Sequence, residues 1–311
     1  RRASHAEGGT LVYHAGALGD FITALPGIAV WRKSHRGRAV LLGRPSYAEL
    51  ADPPFDEVHD AGSAVWAPLF APGFTPDGAA APLVRGIASG FTPDGVAAAL
   101  CRGVSSALLF ATASSPLPAS LAALGVSEIL RQDPFPPSPM PIVDYHLSLF
   151  DARAISHGER VPRIRALALA RVAPGCVALH PGSGSPSKRW PRERFVELGR
   201  RLRESGRAVA WVTGPAEEDV APPGMESWKD LALTDLAGRL AACALFVGND
   251  SGVTHLAAAA GCTTIALFGA TSSVTWAPRG RSVAVVDAPH ARLTEISSAG
   301  IFRLCEGFLS R

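Results

Sequence analysis

The chain has 311 residues, 47% hydrophobic and 18% charged, with a formal net charge of +3. That length suits two domains of about 150 residues, and abundant apolar with few charged residues suits an α/β protein with buried sheets. The small net charge gives no ground for a nucleic-acid partner. Five scattered cysteines without a CxxC pair argue against a disulfide framework or zinc site and for a reducing cytoplasm. No apolar run of roughly 18 residues is present to span a membrane.

Residues 1–9 lack the apolar core of a signal peptide and read as a disordered leader. A short apolar strand over 10–15 runs into the turn 16–20, then a helix over 21–33 that tolerates Pro26, then a strand over 39–42. Strand, glycine turn, helix and strand open a parallel sheet. Residues 62–140 are rich in Ala, Gly and Pro and hold a short duplication, 74–78 and 91–95. Two copies make no solenoid, and both read as turns that open short helices. A proline-dense stretch over 134–141 breaks structure; 143–155 is expected to be helical and 156–174 to connect two domains. A second series follows: strand 176–180, helix 192–205, strands 208–213 and 245–247, helix 254–260 and strand 263–268. The expected domains are 1–158 and 159–311, with the helical tail 296–309 able to return to the first.

The strongest motif is HPGSGSPSKRWP at 180–191, between a strand and a helix. Gly182, Ser183, Gly184 and Ser185 offer backbone N–H groups to an anion, and Lys188 adds a point charge. With only three lysines against 27 arginines, a lysine here calls for a reason. The loop lacks the GK[ST] ending of a Walker motif, and a plain Gly/Ser surface loop is the competing reading. The second motif is GNDSGVTHLA at 248–257. Asp250, Ser251, Gly252, Val253, Thr254 and His255 lie where a strand meets a helix N-terminus, a second anion cradle. Taken singly, Asp250 or Ser251 reads as an N-cap and His255 as a structural histidine; two cradles on successive units of one sheet point to a ligand. Glu217, after the strand at 208–213, is either a ribose or base acceptor or a solvated acid at a helix start. Asp20 is either an N-cap or a general base. No DxD pair occurs among the 14 aspartates, and no HExxH motif, so no metal site is expected.

Together these residues resemble glycosyltransferase family 9, the ADP-heptose:lipopolysaccharide heptosyltransferases. The resemblance is carried by Leu18-Gly19-Asp20, Leu25-Pro26, Arg44-Pro45, 55–58, 180–182, 188–191, 214–217, 250–255 and Trp276-Ala277-Pro278. It implies a GT-B-like fold of two Rossmann-like, doubly wound parallel-sheet domains facing across a cleft. It further implies inverting, metal-independent transfer with no cofactor. Asp20 would be the base; Lys188 and the 182–185 backbone would hold the diphosphate. Glu217 would contact adenosine, and 250–254 would bind phosphate and sugar. Gly19 and Arg44 would lie on the acceptor side. The implied partners are a nucleotide-sugar donor and a glycan or glycolipid acceptor at the inner membrane surface, with no nucleic acid. A sugar-nucleotide epimerase or hydrolase of the same fold, or a non-catalytic nucleotide-sugar-binding protein, would carry similar motifs. A dinucleotide oxidoreductase is disfavoured, because no GxGxxG with a downstream acid follows an early strand.

Overall fold

A computed structural model describes residues 8–74, 93–165, 171–214 and 219–310. In chain order its strands and α-helices begin β1 (Gly9–His14), α1 (Leu18–Ser34), β2 (Ala39–Gly43), α2 (Pro45–Ala48), β3 (Glu57–Asp60), α3 (Pro93–Cys101) and β4 (Val104–Phe110). They continue with α4 (Leu117–Ala123), β5 (Glu128–Gln132), α5 (Ile142–Leu147), β6 (Val177–His180), α6 (Arg192–Glu204), β7 (Val209–Thr213) and β8 (Glu226–Lys229). The last are α7 (Leu233–Ala242), β9 (Leu245–Asn249), α8 (Gly252–Ala259), β10 (Thr264–Phe268), α9 (Ser273–Trp276), β11 (Val283–Asp287) and α10 (Ser298–Leu309). The helix expected over 143–155 stops at Leu147 and gives way to short 3-10 turns. The first copy of the duplication lies outside the described residues beyond Phe74, and α3 starts at Pro93, within the second copy.

There are two sheets, ordered β3-β2-β1-β4-β5 and β11-β10-β9-β6-β7-β8. Every strand pair in both is parallel. The two orders are the Rossmann pattern, in which the first strand of the unit sits between the second and the fourth. Central strands are short apolar runs because both faces are covered: Val177, Ala178, Leu179, Leu245, Phe246 and Val247 are fully buried. Two doubly wound parallel sheets are the fold class expected from the motifs.

The chain divides into two compact units that interleave, in place of one boundary near 158. The first comprises Arg1–Gly16, Gly27–Pro136 and Leu149–Asp151; the second comprises Ala17–Pro26, Pro137–Ser148 and Ala152–Arg311. The first unit's core gathers Leu11, Val40, Leu42, Leu69, Leu109 and Leu121. The second unit's core includes Trp190, Phe195, Trp211, Val247 and Leu267, and takes in Ile301 and Cys305 of α10. The last helix thus packs within the second unit, where it also meets α6. Ala17–Pro26, the start of α1, belongs to this unit too.

Candidate functional site

In a doubly wound sheet the ligand crevice opens at the carboxyl edge where strand order reverses, because neighbouring loops there turn to opposite faces. In the second sheet that point lies between β6 and β9. Val177 pairs with Leu245 and His180 with Gly248, so the two strands end level. The loops they deliver, 181–191 and 250–251, are the two motifs singled out above.

The β6 loop is held through its carbonyls. Asn249 Nδ2 donates to Pro181 O at 2.8 Å and Gly182 O at 3.2 Å, and its Oδ1 accepts from Trp190 N at 2.9 Å. Arg189 donates from Nε and Nη2 to Ser183 O at 3.3 and 3.0 Å. The Trp190 indole, buried, donates to Ile296 O at 3.1 Å and anchors the far end. Among the described residues no backbone acceptor takes the N–H groups of Gly182, Ser183, Gly184 or Ser185. Tied carbonyls with uncommitted amides are the arrangement an anion cradle requires. The Ser183 hydroxyl, by contrast, is spent on Asp250 O at 3.0 Å, and Ser185 Oγ lies 2.9 Å from Ser187 Oγ.

At the second motif, Ser251 is the N-cap of α8 and its side chain accepts from Thr254 N at 3.3 Å. Thr254 is fully buried, with its hydroxyl donating to Asn249 O. These two hydroxyls therefore build the helix start, and the groups it leaves to a ligand are the N–H groups of Gly252 and Val253. Asp250, only 8% exposed, accepts Lys188 Nζ at 2.9 Å and Thr271 Oγ1 at 2.6 Å on one oxygen, Oδ2. The pair fixes the lysine, whose other two ammonium protons remain available. His255 is 5% exposed, and burial pushes its imidazole down to about 4, so the ring is neutral at physiological pH. Asp250 opposes that shift and Lys188 reinforces it.

Asp20 belongs to the same unit. It sits at the third helical position of α1 rather than at the N-cap, which is Ala17. Its Oδ2 accepts from Ala17 N at 3.1 Å, the reach-back half of a capping box. Burial raises the Asp20 carboxyl above the ordinary range; the Ala17 N–H and the Lys188 charge pull it down, and Asp250 pushes it up again. The carboxylate thus lies in the field of both members of the Lys188–Asp250 pair. Close backbone approach makes this possible. A Cβ on Gly252 would come within 2.8 Å of Leu18 Cβ and 3.1 Å of Gly19 N, and one on Gly19 within 3.1 Å of the His255 ring. The two glycines let the starts of α1 and α8 touch.

Asp20, Gly19, Lys188 and residues 182–185 and 250–255 are thus gathered in one unit. Arg44 is in the other, at the N-cap of α2, with its guanidinium 5.6 Å from the Tyr47 ring centre. It lines a pocket with Ala15, Asp60 and Gly62. Glu217 lies outside the described residues. Sequence reading missed Asn249 and Thr271. Asn249 lies within the 248–257 motif, beyond the strand expected over 245–247, with nothing in the sequence to mark it as a tie for another loop, and nothing local marks Thr271 as a partner of a residue 21 positions away. Among the described residues no group of three or more His, Cys, Asp or Glu could hold a metal ion, and no helix is long and apolar enough to cross a membrane.

The family model described as glycosyltransferase family 9 (heptosyltransferase) matches residues 154–299, which take in both loops and Thr271. Lipopolysaccharide heptosyltransferase 3 of Escherichia coli is 29% identical over 125 residues, 37% of this chain and 37% of that protein. The chain thus spans little more than a third of the length of that curated relative. A glycosyl transferase family 9 structure from Veillonella parvula DSM 2008 aligns with a TM-score of 0.75 at 14% identity, over 100% of this chain and 99% of that one. The E. coli heptosyltransferase WaaC, solved with ADP, aligns with a TM-score of 0.66 at 16% identity, over 96% and 99%. Asp20 lies outside the matched residues, whereas the cradle lies inside them. One family thus recurs in the match to its model, in the sequence relative and among the structures of the same fold, and over residues 154–299 this chain is similar to glycosyltransferase family 9.

Proposed function

We propose that this chain is an inverting, metal-independent glycosyltransferase that moves a heptosyl group from an ADP-sugar to a lipopolysaccharide-core or related glycan acceptor. The observation that carries this reading is the convergence of Asp20, Lys188 and Asp250, with two uncommitted sets of amides, at the point where the second sheet reverses its order. The diphosphate rests on the 182–185 amides, the first turn of α8 and Lys188, and Glu217 takes the adenosine. The relatives are named heptosyltransferases, and one was solved with ADP, which supports the donor.

In the reaction the Asp20 carboxylate takes the proton of an acceptor hydroxyl as that oxygen attacks the anomeric carbon. The bond from that carbon to the diphosphate oxygen breaks, and ADP leaves with the pair of electrons. One displacement inverts the centre. Burial makes Asp20 a stronger base than an exposed aspartate, while Lys188 and the Ala17 N–H keep it ionised. Negative charge growing on the leaving diphosphate is met by oriented amides and a fixed ammonium, groups that need no reorganisation as it forms. No DxD motif is present, and a divalent ion has no assigned part.

Consumption of ADP-heptose, followed with and without a lipopolysaccharide-core acceptor, tests the reading. Transfer requires acceptor; consumption without it would mean a hydrolase or epimerase, and none at all a binding protein. A chelator is expected to leave the rate unchanged. Loss of activity restored by magnesium or manganese would overturn metal independence.

A further inference from the structure

A second polar pocket, of about 620 Å³, lies in the same unit but at the opposite edge of its sheet. Val283, the first residue of β11, forms one wall, and the strands are parallel. The pocket is therefore at the amino edge, more than a strand length of roughly 15 Å from the cradle. It is lined by Asp144, His157, Arg160, Arg279, Gly280 and Arg281.

Its frame is rigid. Asp144 receives both terminal nitrogens of Arg279, with Arg279 Nη1 at 2.8 Å from Oδ1, and also Arg160 Nη1 at 3.3 Å. These pairs hold the Asp144 carboxyl below the usual range. A full capping box, Ser156 with Glu159, fixes the 3-10 turn that presents His157 and Arg160. Gly280 has no room for a side chain, since a Cβ there would come within 2.7 Å of Ala258 O. The loop that presents Arg279 and Arg281 therefore cannot relax inward.

Within this frame the charges do not balance. Three guanidinium groups and a histidine face a single carboxylate. Asp144 fully engages Arg279 and only one nitrogen of Arg160. Arg281 and His157, both exposed, have no hydrogen-bond or ion-pair partner among the described residues. A structural staple would need only Asp144 and Arg279. The surplus of positive charge, in a preformed pocket large enough for a sugar phosphate, suits an oxygen-rich dianion and the fork geometry of arginine. We propose that this pocket binds a phosphomonoester group, separately from the diphosphate cradle.

The group has two sources, a soluble sugar phosphate or a phosphorylated lipid, and the test separates them. Calorimetric titration of the whole chain with inorganic phosphate and glucose 1-phosphate forms one arm; co-sedimentation with phosphatidic acid against phosphatidylcholine vesicles forms the other. Saturable binding is expected in at least one arm. It should weaken at least about tenfold in His157→Ala/Arg281→Ala while persisting in Lys188→Ala. Retention of sugar phosphate alone assigns a soluble ligand; retention of phosphatidic acid vesicles alone assigns a lipid. No saturable binding in either arm, undiminished binding in the double variant, or loss confined to Lys188→Ala would each overturn the assignment. The double variant is expected to keep its donor turnover in solution, because neither residue belongs to the cradle.

Discussion

The starts of α1 and α8 are the same local device put to opposite uses. Each follows the carboxyl end of a strand, each exposes the positive end of a helix dipole, and both belong to the second unit. At α8 a neutral serine caps the helix and brings no charge of its own, leaving the Gly252 and Val253 amides to attract a negative ligand. At α1 the N-cap is alanine, whose side chain cannot accept a hydrogen bond, and an aspartate three positions further on reaches back to accept the alanine's own N–H. One helix start is open to an anion while the other carries its own. Glycines at 19 and 252 bring the two into contact, so that the carboxylate of one lies beside the open start of the other.

Replacing the charge at α1 tests the contrast most severely. Asp20→Asn keeps an oxygen for the Ala17 N–H but cannot take a proton. Turnover should fall by roughly a hundredfold to ten-thousandfold, with ADP binding and melting temperature nearly unchanged. The same variant should erase the acid limb of the pH–rate profile. Because the Asp20 carboxyl is raised, that limb lies above the ordinary aspartate value, with activity lost as the pH falls through it. Transfer at the parent rate would reduce Asp20 to a cap.

On the α8 side the expected effect is smaller and falls on binding. Lys188→Ala should weaken ADP binding by about tenfold to a hundredfold, the value of a charge-assisted contact of roughly 1.5–3 kcal/mol. Titration of the folded variant checks this, and unchanged affinity would remove Lys188 from the cradle. Since Asp250 would then lose its cation, its partner Thr271 should become the sole donor to Oδ2. Smallest is Ser251→Ala, which deletes a neutral cap and should cost about 1 kcal/mol of stability, read by denaturant unfolding. A variant as stable as the parent would show that Ser251 does not cap α8.

Legibility in the sequence followed the range of the interactions involved. Strand-loop-helix junctions at 10–20, 177–192 and 245–254 were readable because apolar runs, glycines and N-terminal polar residues lie within a few positions of each other. The strands over 104–110 and 128–132 went unread. The first is a short buried run without alternation and cannot be told from a buried helix by period, and the second is five residues long and mostly half-buried, too short to show a period. The short β8, with only Trp228 buried, offered as little.

The sequence by itself determined which backbone segments could cradle an anion and where a lone lysine and an aspartate stood beside them. Glycine-rich turns and helix starts are set by neighbouring residues. Tertiary structure alone decided that β6 and β9 are neighbours, that Asn249 ties down the loop after β6, and that Thr271 and Lys188 meet on one oxygen of Asp250. It also decided that Asp20 lies within reach of their charges. Those pairings join residues 21 to more than 200 positions apart. They are fixed by strand order and register, which arise from the burial of whole sheets and leave no periodic trace at any one residue.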